Sequence, residues 1–595
     1  MKRSLIAFLL AAWVAGAGKE PYLSPYSLAA SADGSKIYVG CATAGRVVIF
    51  DTAARKVVGS IPVPASPTGL ELAPDGARLY VACAAPASSI AIIDTATARL
   101  AGTLRAGHTA MSPVVSPDGK RLYISNRFNN NVAAIDLATR KEVWRAAVVR
   151  EPFAAALTPD GKLLLVANHL PAGPADGDYI AAVVSVVDTA AGKEVNQIAL
   201  PNGSSSVAGI AISPDGRYAA VTHILGRINL PPTQVERGWM NTNALSIIDV
   251  PKRALLNTVL LDGVDSGAAN PWGVSWSRDG KRIAVTHAGT HELSVIDAPG
   301  LLGKLAKAAA PAEVPNDLAF MLGIQTRIKL EGKGPRAVTL VGNTAYVANY
   351  FSDSLSIVDL ESKSQTTLLL GPAQSPSIAR RGELLFHDAT IGFQGWQSCS
   401  SCHPGARSDA MHWDLLNDGI GNPKNTKSML YSHRTPPAMS QGVRETAEEA
   451  VRAGIQHILF ATRPEEDAQA IDEYLKSLRP VPSPYLVDGK LGPAALRGKK
   501  LFFDKKVGCS SCHARELYTD LHHYDVGTKG PNDQNPEFDT PTLIENWRTA
   551  PYLHDGRSAT MLDVLKKDNP HDKHGKTSHL SPGQLADLAE FVLSL

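Results

Sequence analysis

The sequence predicts a multidomain chain, an all-β seven-bladed propeller followed by two small all-α lobes. Three observations carry this: a strand-and-turn unit recurs seven times over residues 25–370, the β pattern stops at Gly371-Pro-Ala-Gln-Ser-Pro, and the remainder is an internal duplication with helical periodicity. With 595 residues, 44% hydrophobic and 19% charged, the composition is globular and too long for one core. The net charge is +2, from 59 basic and 57 acidic residues without a polybasic block. Nucleic acid and anionic membrane surfaces are therefore poor partners.

Residues 1–17 read as a secretory signal peptide: Lys2 and Arg3, the apolar run from Leu5 to Gly16, then Ala15-Gly16-Ala17 as a small-residue cleavage signal. No other stretch is apolar enough to span a membrane, so the mature chain is expected to be periplasmic or secreted. In the repeats, Asp33-Gly34, Asp75-Gly76, Asp118-Gly119, Asp160-Gly161, Asp215-Gly216 and Asp279-Gly280, with a degenerate seventh copy at Gly342-Asn343, each precede a strand such as Leu79-Tyr-Val. A second strand then ends in Asp51, Asp94, Asp136, Asp188, Asp249, Asp297 or Asp359. Seven copies of about 42 residues suit a propeller, in which radial repetition leaves little free strand edge. The unit resembles the YVTN-type propeller repeat, which speaks to fold and not to function.

Blades four and five carry insertions, His169 to Ala181 and Ile224 to Asn243, between their second and third strands, and a linker from Ala298 to Gly334 is expected between blades six and seven. Insertions at that junction emerge on one face and should build a rim or lid. Cys41, Cys83, Asn126, Asn168, His223, His287 and Asn349 fall at equivalent positions around the ring. Such positions on separate blades are too far apart to share an ion, so a polar turn cap is the simpler expectation, and a Cys41–Cys83 disulfide would strain the Cα limit of about 7 Å.

Two Cys-x-x-Cys-His motifs follow, Cys399-Ser-Ser-Cys402-His403 and Cys509-Ser-Ser-Cys512-His513. Paired thiols can add to the two haem vinyl groups while the adjacent His coordinates the iron, so the motifs predict two covalently bound haem c groups, attached through Cys399, Cys402, Cys509 and Cys512, with His403 and His513 as axial ligands. The competing reading is a tetrahedral zinc site, in which the His after the second Cys has no required role.

The duplication repeats around these motifs. Arg381-Gly-Glu-Leu-Leu-Phe precedes the first and Arg497-Gly-Lys-Lys-Leu-Phe the second, and Asn425 to Gly442 matches Asp539 to Gly556 without gaps. Helical periodicity over Glu445 to Phe460, Asp467 to Leu478 and Pro582 to Leu593 gives cytochrome c lobes at 374–480 and 481–595. At these residues, and most specifically at Thr540-Pro-Thr-Leu and Thr549-Ala-Pro-Tyr-Leu-His554-Asp-Gly, residues 376–595 resemble the bacterial dihaem cytochrome c peroxidase and MauG superfamily. The resemblance implies a peroxide-binding first haem fed by a six-coordinate second haem. It also implies a calcium ion held at Asn425, Thr549 and Pro551, a homodimer, and a small redox protein as electron partner.

The departures are equally informative. Where the family carries a distal Gln and Glu, this chain has Ala450 and Phe460, and the Trp between the haems falls at Ser440. His457, on the same helix, is then the candidate acid and base, or a closing iron ligand, with His433 and Met439 weaker. Near Asp568, where the family supplies Met, the run from Asn569 to His579 offers His571, His574 and His579. His574 leads as the second haem's sixth ligand, followed by His571, which an ungapped extension of the duplication pairs with His457. Three functional readings stand: an oxidoreductase activating peroxide or oxygen at the first haem with electrons from the second, while the propeller recognises a partner or holds the substrate; a non-catalytic electron carrier or redox sensor with a docking propeller; and chemistry in the propeller itself.

Overall fold

A computed structural model of the chain describes residues 22–228, 240–415 and 421–595; the expected signal peptide lies outside them. The Asp-Gly repeat makes one turn six times. Gly34, Gly76, Gly119, Gly161, Gly216 and Gly280 all have φ of 69–73°, a region that strains any side chain. Each glycine donates its N–H to the carbonyl three residues back at 2.8–2.9 Å. The preceding Asp locks the turn: Asp33 Oδ1 accepts from Ser35 N at 3.0 Å, and Asp118 Oδ1 accepts from Lys120 N at 3.0 Å. The next connection uses the other Asp of the repeat, since Asp51, Asp94, Asp136 and Asp188 accept from the backbone N–H three residues on at 2.7–2.9 Å.

These turns join seven four-stranded antiparallel sheets with strands in chain order, over residues 25–62, 66–105, 110–147, 152–199, 204–260, 271–329 and 335–369. The first strands lie side by side around the axis, and the fourth strands face water, leaving Val57, Val58 and Val143 exposed. Among the described residues no strand is exchanged to close the ring. Closure rests on apolar packing of Ile37, Val39 and Phe50 of blade one against Tyr346 and Leu355 of blade seven, and on Ser24 N donating to Asp353 Oδ1 at 2.8 Å. The expected linker between blades six and seven is instead an insertion within blade six. It runs through α1 (Ala298–Ala306), whose Leu301 and Leu305 join the core with Ile247 and Ile283, and returns to supply the blade's fourth strand, Gln325–Lys329.

The duplication is also present in three dimensions. Its first copy holds α2 (Ile378–His387), α3 (Cys399–Cys402), α4 (Ala447–Ala453) with a π turn at Gly454–Ile458, and α5 (Glu465–Ser477). Its second holds a 3-10 turn at Cys509–Ser511 and a π turn at Asp563–Lys567 between α6 (Pro493–Phe502) and α7 (Pro582–Leu593). The segment is only partly helical, unlike the all-α expectation. Long irregular stretches and the two-residue ladders His412–Trp413 with Lys424–Asn425 and His523–Tyr524 with Phe538–Asp539 fill the space between helices.

In both copies the terminal helices cross at a glycine. A Cβ on Gly382 of α2 would sit 1.7 Å from Ala470 O, and one on Gly498 of α6 would sit 1.8 Å from Asp587 O. Backbone cannot yield as a flexible side chain can, so either Gly→Ala change should separate the helix pair and cost at least about 3 kcal/mol. Thermal unfolding checks this, with Gly583→Ala, whose Cβ meets nothing within 4 Å, as the neutral control.

Candidate functional site

The equivalent ring positions are internal to their blades. Asn168 Nδ2 donates to Ser185 Oγ at 2.9 Å, His223 Nε2 pairs with Ser246 Oγ at 2.8 Å, His287 Nε2 with Ser294 Oγ at 2.7 Å, and Asn349 Nδ2 donates to Ser356 Oγ at 2.9 Å. All four are fully buried and bridge to the neighbouring strand, and Asn168 Oδ1 also accepts from Arg150 N at 3.3 Å, as the equivalent Asn126 Oδ1 does from Gly107 N at 2.8 Å, in the loops between blades. Cys41 and Cys83 are both free thiols.

The first Cys-x-x-Cys-His motif is built into the propeller. Asn270 Nδ2 donates to Ser398 Oγ at 2.8 Å and Asn270 Oδ1 accepts from Ser401 Oγ at 2.7 Å. Asn241 Nδ2 donates to Gln397 Oε1 at 2.8 Å and to Cys402 Sγ at 3.4 Å, and Asn243 Nδ2 to Trp396 O at 3.2 Å. Asn243 is itself held by Asp262, whose Oδ2 accepts from Asn243 N at 2.6 Å and Oδ1 from Asn243 Nδ2 at 2.8 Å. These are strand-end residues of blade five and the loop into blade six, so the face carrying the insertions is the one that grips the motif. A fully satisfied buried polar network of this kind fixes one geometry.

An apolar wall completes the site. Ile180, Ile228 and Met240 from the two insertions pack with Met411 and Trp413, and Cys402, Ile458 and Phe460 pack against them. Below it, His403 Nδ1 donates to Arg407 O at 3.0 Å, which fixes the ring and presents Nε2 as the coordinating nitrogen. Burial holds His403 down to about 4, neutral as a ligand must be, and pushes Cys399 up to about 12 and Cys402 upward as well. Among the described residues no three His, Cys, Asp or Glu side chains gather as a metal cluster, so a shared thiolate zinc centre lacks its ligands there.

Asp409 gave no signal in the sequence. Its N–H donates to Cys402 O at 3.1 Å, its Oδ2 accepts from Trp413 Nε1 at 2.9 Å, and its carbonyl accepts from Ser205 Oγ of blade five at 2.9 Å. It is 1% exposed, and burial pushes its carboxyl up to about 7, far above the usual carboxylate range, beside the first motif. A raised acid pKa contributes stability that is whole below the unfolded value and is lost as pH rises through the folded one. Wild type should therefore lose stability relative to Asp409→Asn, whose side chain stays neutral, as pH rises from 4 to 8, measured by thermal unfolding.

The second motif repeats the anchoring. His513 Nδ1 donates to Tyr518 O at 2.9 Å, and burial lowers its pKa. Opposite it lies His574, the ring centroids 6.3 Å apart. Two metal–nitrogen bonds of about 2.0 Å plus about 1.1 Å from each nitrogen to its ring centre span about 6 Å, so the gap accommodates one ion with an imidazole on each side. His574 Nδ1 is buried without a hydrogen-bond partner, and burial, with His513 adding, holds the ring down to about 4. His571 and His579 are exposed. Both motifs thus fit haem c: anchored imidazoles, held neutral by burial, beside paired thiols.

His457 is exposed, fourth in the π turn Gly454–Ile458, which Gln397 Nε2 ties to the first motif through Ile458 O at 2.8 Å. His433 is committed to Asp472 at 3.0 Å. Asn425 and Pro551 meet, Asn425 Nδ2 donating to Pro551 O at 2.6 Å while Asn425 Oδ1 is buried and unpartnered. The hydroxyl of Thr549 turns to Asn546 O at 3.1 Å.

Comparisons with known proteins bear on both halves. The family described as outer membrane protein assembly factor BamB matches residues 10–146. Hydrazine synthase subunit gamma of Kuenenia stuttgartiensis is 31% identical over 273 residues, 37% of this chain and 77% of that protein. Subunit beta of the same organism is 28% identical over 180 residues, 29% of this chain and 46% of that protein. Methylamine utilization protein MauG of Methylorubrum extorquens is 24% identical over 254 residues, 32% of this chain and 68% of that protein. A solved Kuenenia stuttgartiensis hydrazine synthase chain superposes with a TM-score of 0.53 at 24% identity, covering 59% of this chain and 99% of that one, a likeness of fold.

Proposed function

The chain belongs to the family of hydrazine synthase subunit gamma, and from that premise we propose that it is a periplasmic or secreted dihaem c-type oxidoreductase whose propeller encloses the reacting haem. The observation that carries the reading is the unequal surroundings of two identical motifs. A second imidazole, His574, faces His513, while among the described residues no ring is paired with that of His403, whose motif packs against an apolar wall. That contrast would suit electron transfer at a haem held by His513 and binding of a small uncharged substrate at one held by His403.

Covalent haem at each motif supplies an iron that exchanges single electrons and, where a position is free, binds a small ligand. Cys399 and Cys402, then Cys509 and Cys512, would hold the groups, and His403, His513 and His574 would supply imidazole nitrogens to the irons. Arg407 O keeps the His403 ring in one orientation and one tautomer. Ile180, Ile228 and Met240 exclude water, which suits peroxide or a small nitrogen compound over a charged metabolite. Burial raises the Asp409 carboxyl to about 7 beside the first motif, within reach of proton exchange near neutrality, and His457 lies exposed on the neighbouring π turn. Asn425 with the Pro551 and Thr549 oxygens is the proposed calcium site, an all-oxygen donor set.

The resemblance to subunit beta as well as gamma supports a single polypeptide joining what those relatives hold as separate subunits. The 59% superposed on a solved chain suits the propeller, and the 37% matched to gamma suits the haem-motif third. The test is the optical and electron paramagnetic resonance spectrum of the purified ferric protein, with a pyridine haemochrome count. Two haems per chain, one high-spin and one low-spin, with only the high-spin signal consumed by stoichiometric peroxide or nitric oxide, is the expected result. Two low-spin signals indifferent to both would leave a non-catalytic electron carrier.

A further inference from the structure

Where the first strands of the blades begin, the ladder slips by a residue. Pro25 pairs with Cys41 but Ser27 with Gly40, and Pro335 pairs with Asn349 but Ala337 with Ala348. The skipped residue is bulged out of the ladder, a device that re-aims a side chain. In four blades it is large: Tyr26, Phe153, Trp272 and Arg336. Ring contacts place these residues on the propeller axis. Phe153 of blade four meets Trp272 of blade six at 5.7 Å between centroids, and Trp272 meets Tyr26 of blade one at 6.3 Å. Side chains of non-adjacent blades can touch only at the centre of the ring, where Met111 of blade three and Ala208 of blade five join them.

Arg336 is 5% exposed, and its guanidinium lies 3.9 Å from the Trp272 ring and 5.4 Å from that of Tyr350. Its Nε is buried without a partner, and no described residue accepts a hydrogen bond from either terminal nitrogen. The arginines around it are all committed: Arg127 to Glu151 at 2.7 Å, Arg380 to Glu383 at 2.8 Å and Arg407 to Glu545 at 2.8 Å. Glu383 is the acid that acts on Arg336 across space, and both its oxygens are taken, one by Arg380 and the other by the Tyr350 hydroxyl at 3.4 Å. Glu71 lies on the first strand of blade two, three residues past the ring position Thr68 and so about 10 Å further along the axis. Burial pushes its carboxyl up to about 8, which weakens it as a counter-charge. The Tyr26 hydroxyl has no partner among the described residues either, and burial pushes it up to about 12, so it stays a donor. Tyr26 and Trp272 keep accessible surface although they lie on the axis, so the ring encloses room. A buried guanidinium faced only by aromatic rings costs free energy that an anion in that room would offset.

We propose that Arg336 and Tyr26, walled by Trp272 and Phe153, form a site on the propeller axis for a small planar monovalent oxyanion of the carboxylate, nitrate or nitrite class. The guanidinium fork takes two oxygens of such an anion side by side, and the Tyr26 hydroxyl donates to it. Contact between the rings limits the occupant to a few atoms, and the single uncompensated cation sets its charge at minus one. The site uses neither Cys-x-x-Cys-His motif and does not depend on haem.

The test is isothermal titration calorimetry of nitrate and of formate into the reduced full-length protein in chloride-free buffer under carbon monoxide, which keeps added anions off any open iron. A single saturable site per chain is expected. Arg336→Gln should weaken it at least about tenfold, with Arg336→Lys between the two. Tyr26→Phe should weaken it about fivefold. Arg217→Gln, an exposed arginine over Tyr218 at 5.6 Å, should match wild type. In thermal unfolding, nitrate should raise the melting temperature of wild type and not that of Arg336→Gln. The absence of a saturable site in wild type, or equal affinity in Arg336→Gln, overturns the proposal. If Arg336→Gln does not fold, Tyr26→Phe decides, and an unchanged affinity there overturns it. No saturable site in wild type together with a shifted potential of a haem at His403 in Arg336→Gln would assign the guanidinium to a haem propionate instead.

Discussion

On the proposed dihaem reading, replacing His574 by alanine is expected to convert the haem at His513 from low-spin to high-spin, about half of the total haem signal, and to create a site that added imidazole refills. The expectation follows from the facing rings at 6.3 Å and from the unpartnered buried Nδ1 of His574, a nitrogen that costs free energy unless something on the ion's side of the ring repays its burial. Asn569 makes the position rigid: its Oδ1 accepts from His574 N at 2.9 Å and its Nδ2 donates to Gly575 O at 2.8 Å, so the ring is delivered from an ordered loop. His571→Ala and His579→Ala, both exposed, should leave the spectrum unchanged. Conversion in His571→Ala and not in His574→Ala would sink the assignment. Loss of a strongly donating nitrogen should also raise the second haem's reduction potential, read by spectroelectrochemistry.

What could be read before the fold was known follows from the range of the interactions involved. The propeller was legible because its signals are local: six Asp-Gly turns and six of the seven strand-ending Asp residues act on backbone groups two or three residues away. The fourth strand of blade six was not, because Gln-Thr-Arg-Ile-Lys carries no alternating pattern and pairs with Glu292–Ile296 across an intervening helix. The partly helical character of the haem-motif segment was missed for a related reason, since two-residue ladders such as His412–Trp413 with Lys424–Asn425 leave no periodicity. At the first motif the sequence marks the thiols and His403 but not Asn241, Asn270 or Asp409, whose roles arise from contacts 128 to 204 residues apart in the chain. Three histidines in one loop were visible as candidates. Only the turn set by Asn569 tells which of them faces His513.

A larger effect on stability is expected from Glu545→Ala. Glu545 is 1% exposed, and its carboxylate takes Arg407 from two sides, Nη2 at 2.8 Å and Nε at 3.2 Å, together with Arg548 Nη1 at 3.1 Å. It therefore joins the first copy of the duplication to the second at the point where the Arg407 carbonyl orients His403. Removing the acid leaves two guanidinium groups buried beside each other without a counter-charge, a change that costs about 3–5 kcal/mol and should lower the melting temperature by about 10 °C. Because the same arginine supplies the acceptor for His403 Nδ1–H, the first haem's spectrum should broaden while the second's stays sharp. The double variant Arg407→Met/Glu545→Leu removes both charges of the pair and should recover part of the loss, short of wild type because Arg548 remains unpaired. If Glu545→Ala unfolds at the wild-type temperature, or if the spectral change falls on the haem of His513, the pair is not the coupling between the two haem sites. An additive double variant would show instead that each residue is held by other partners.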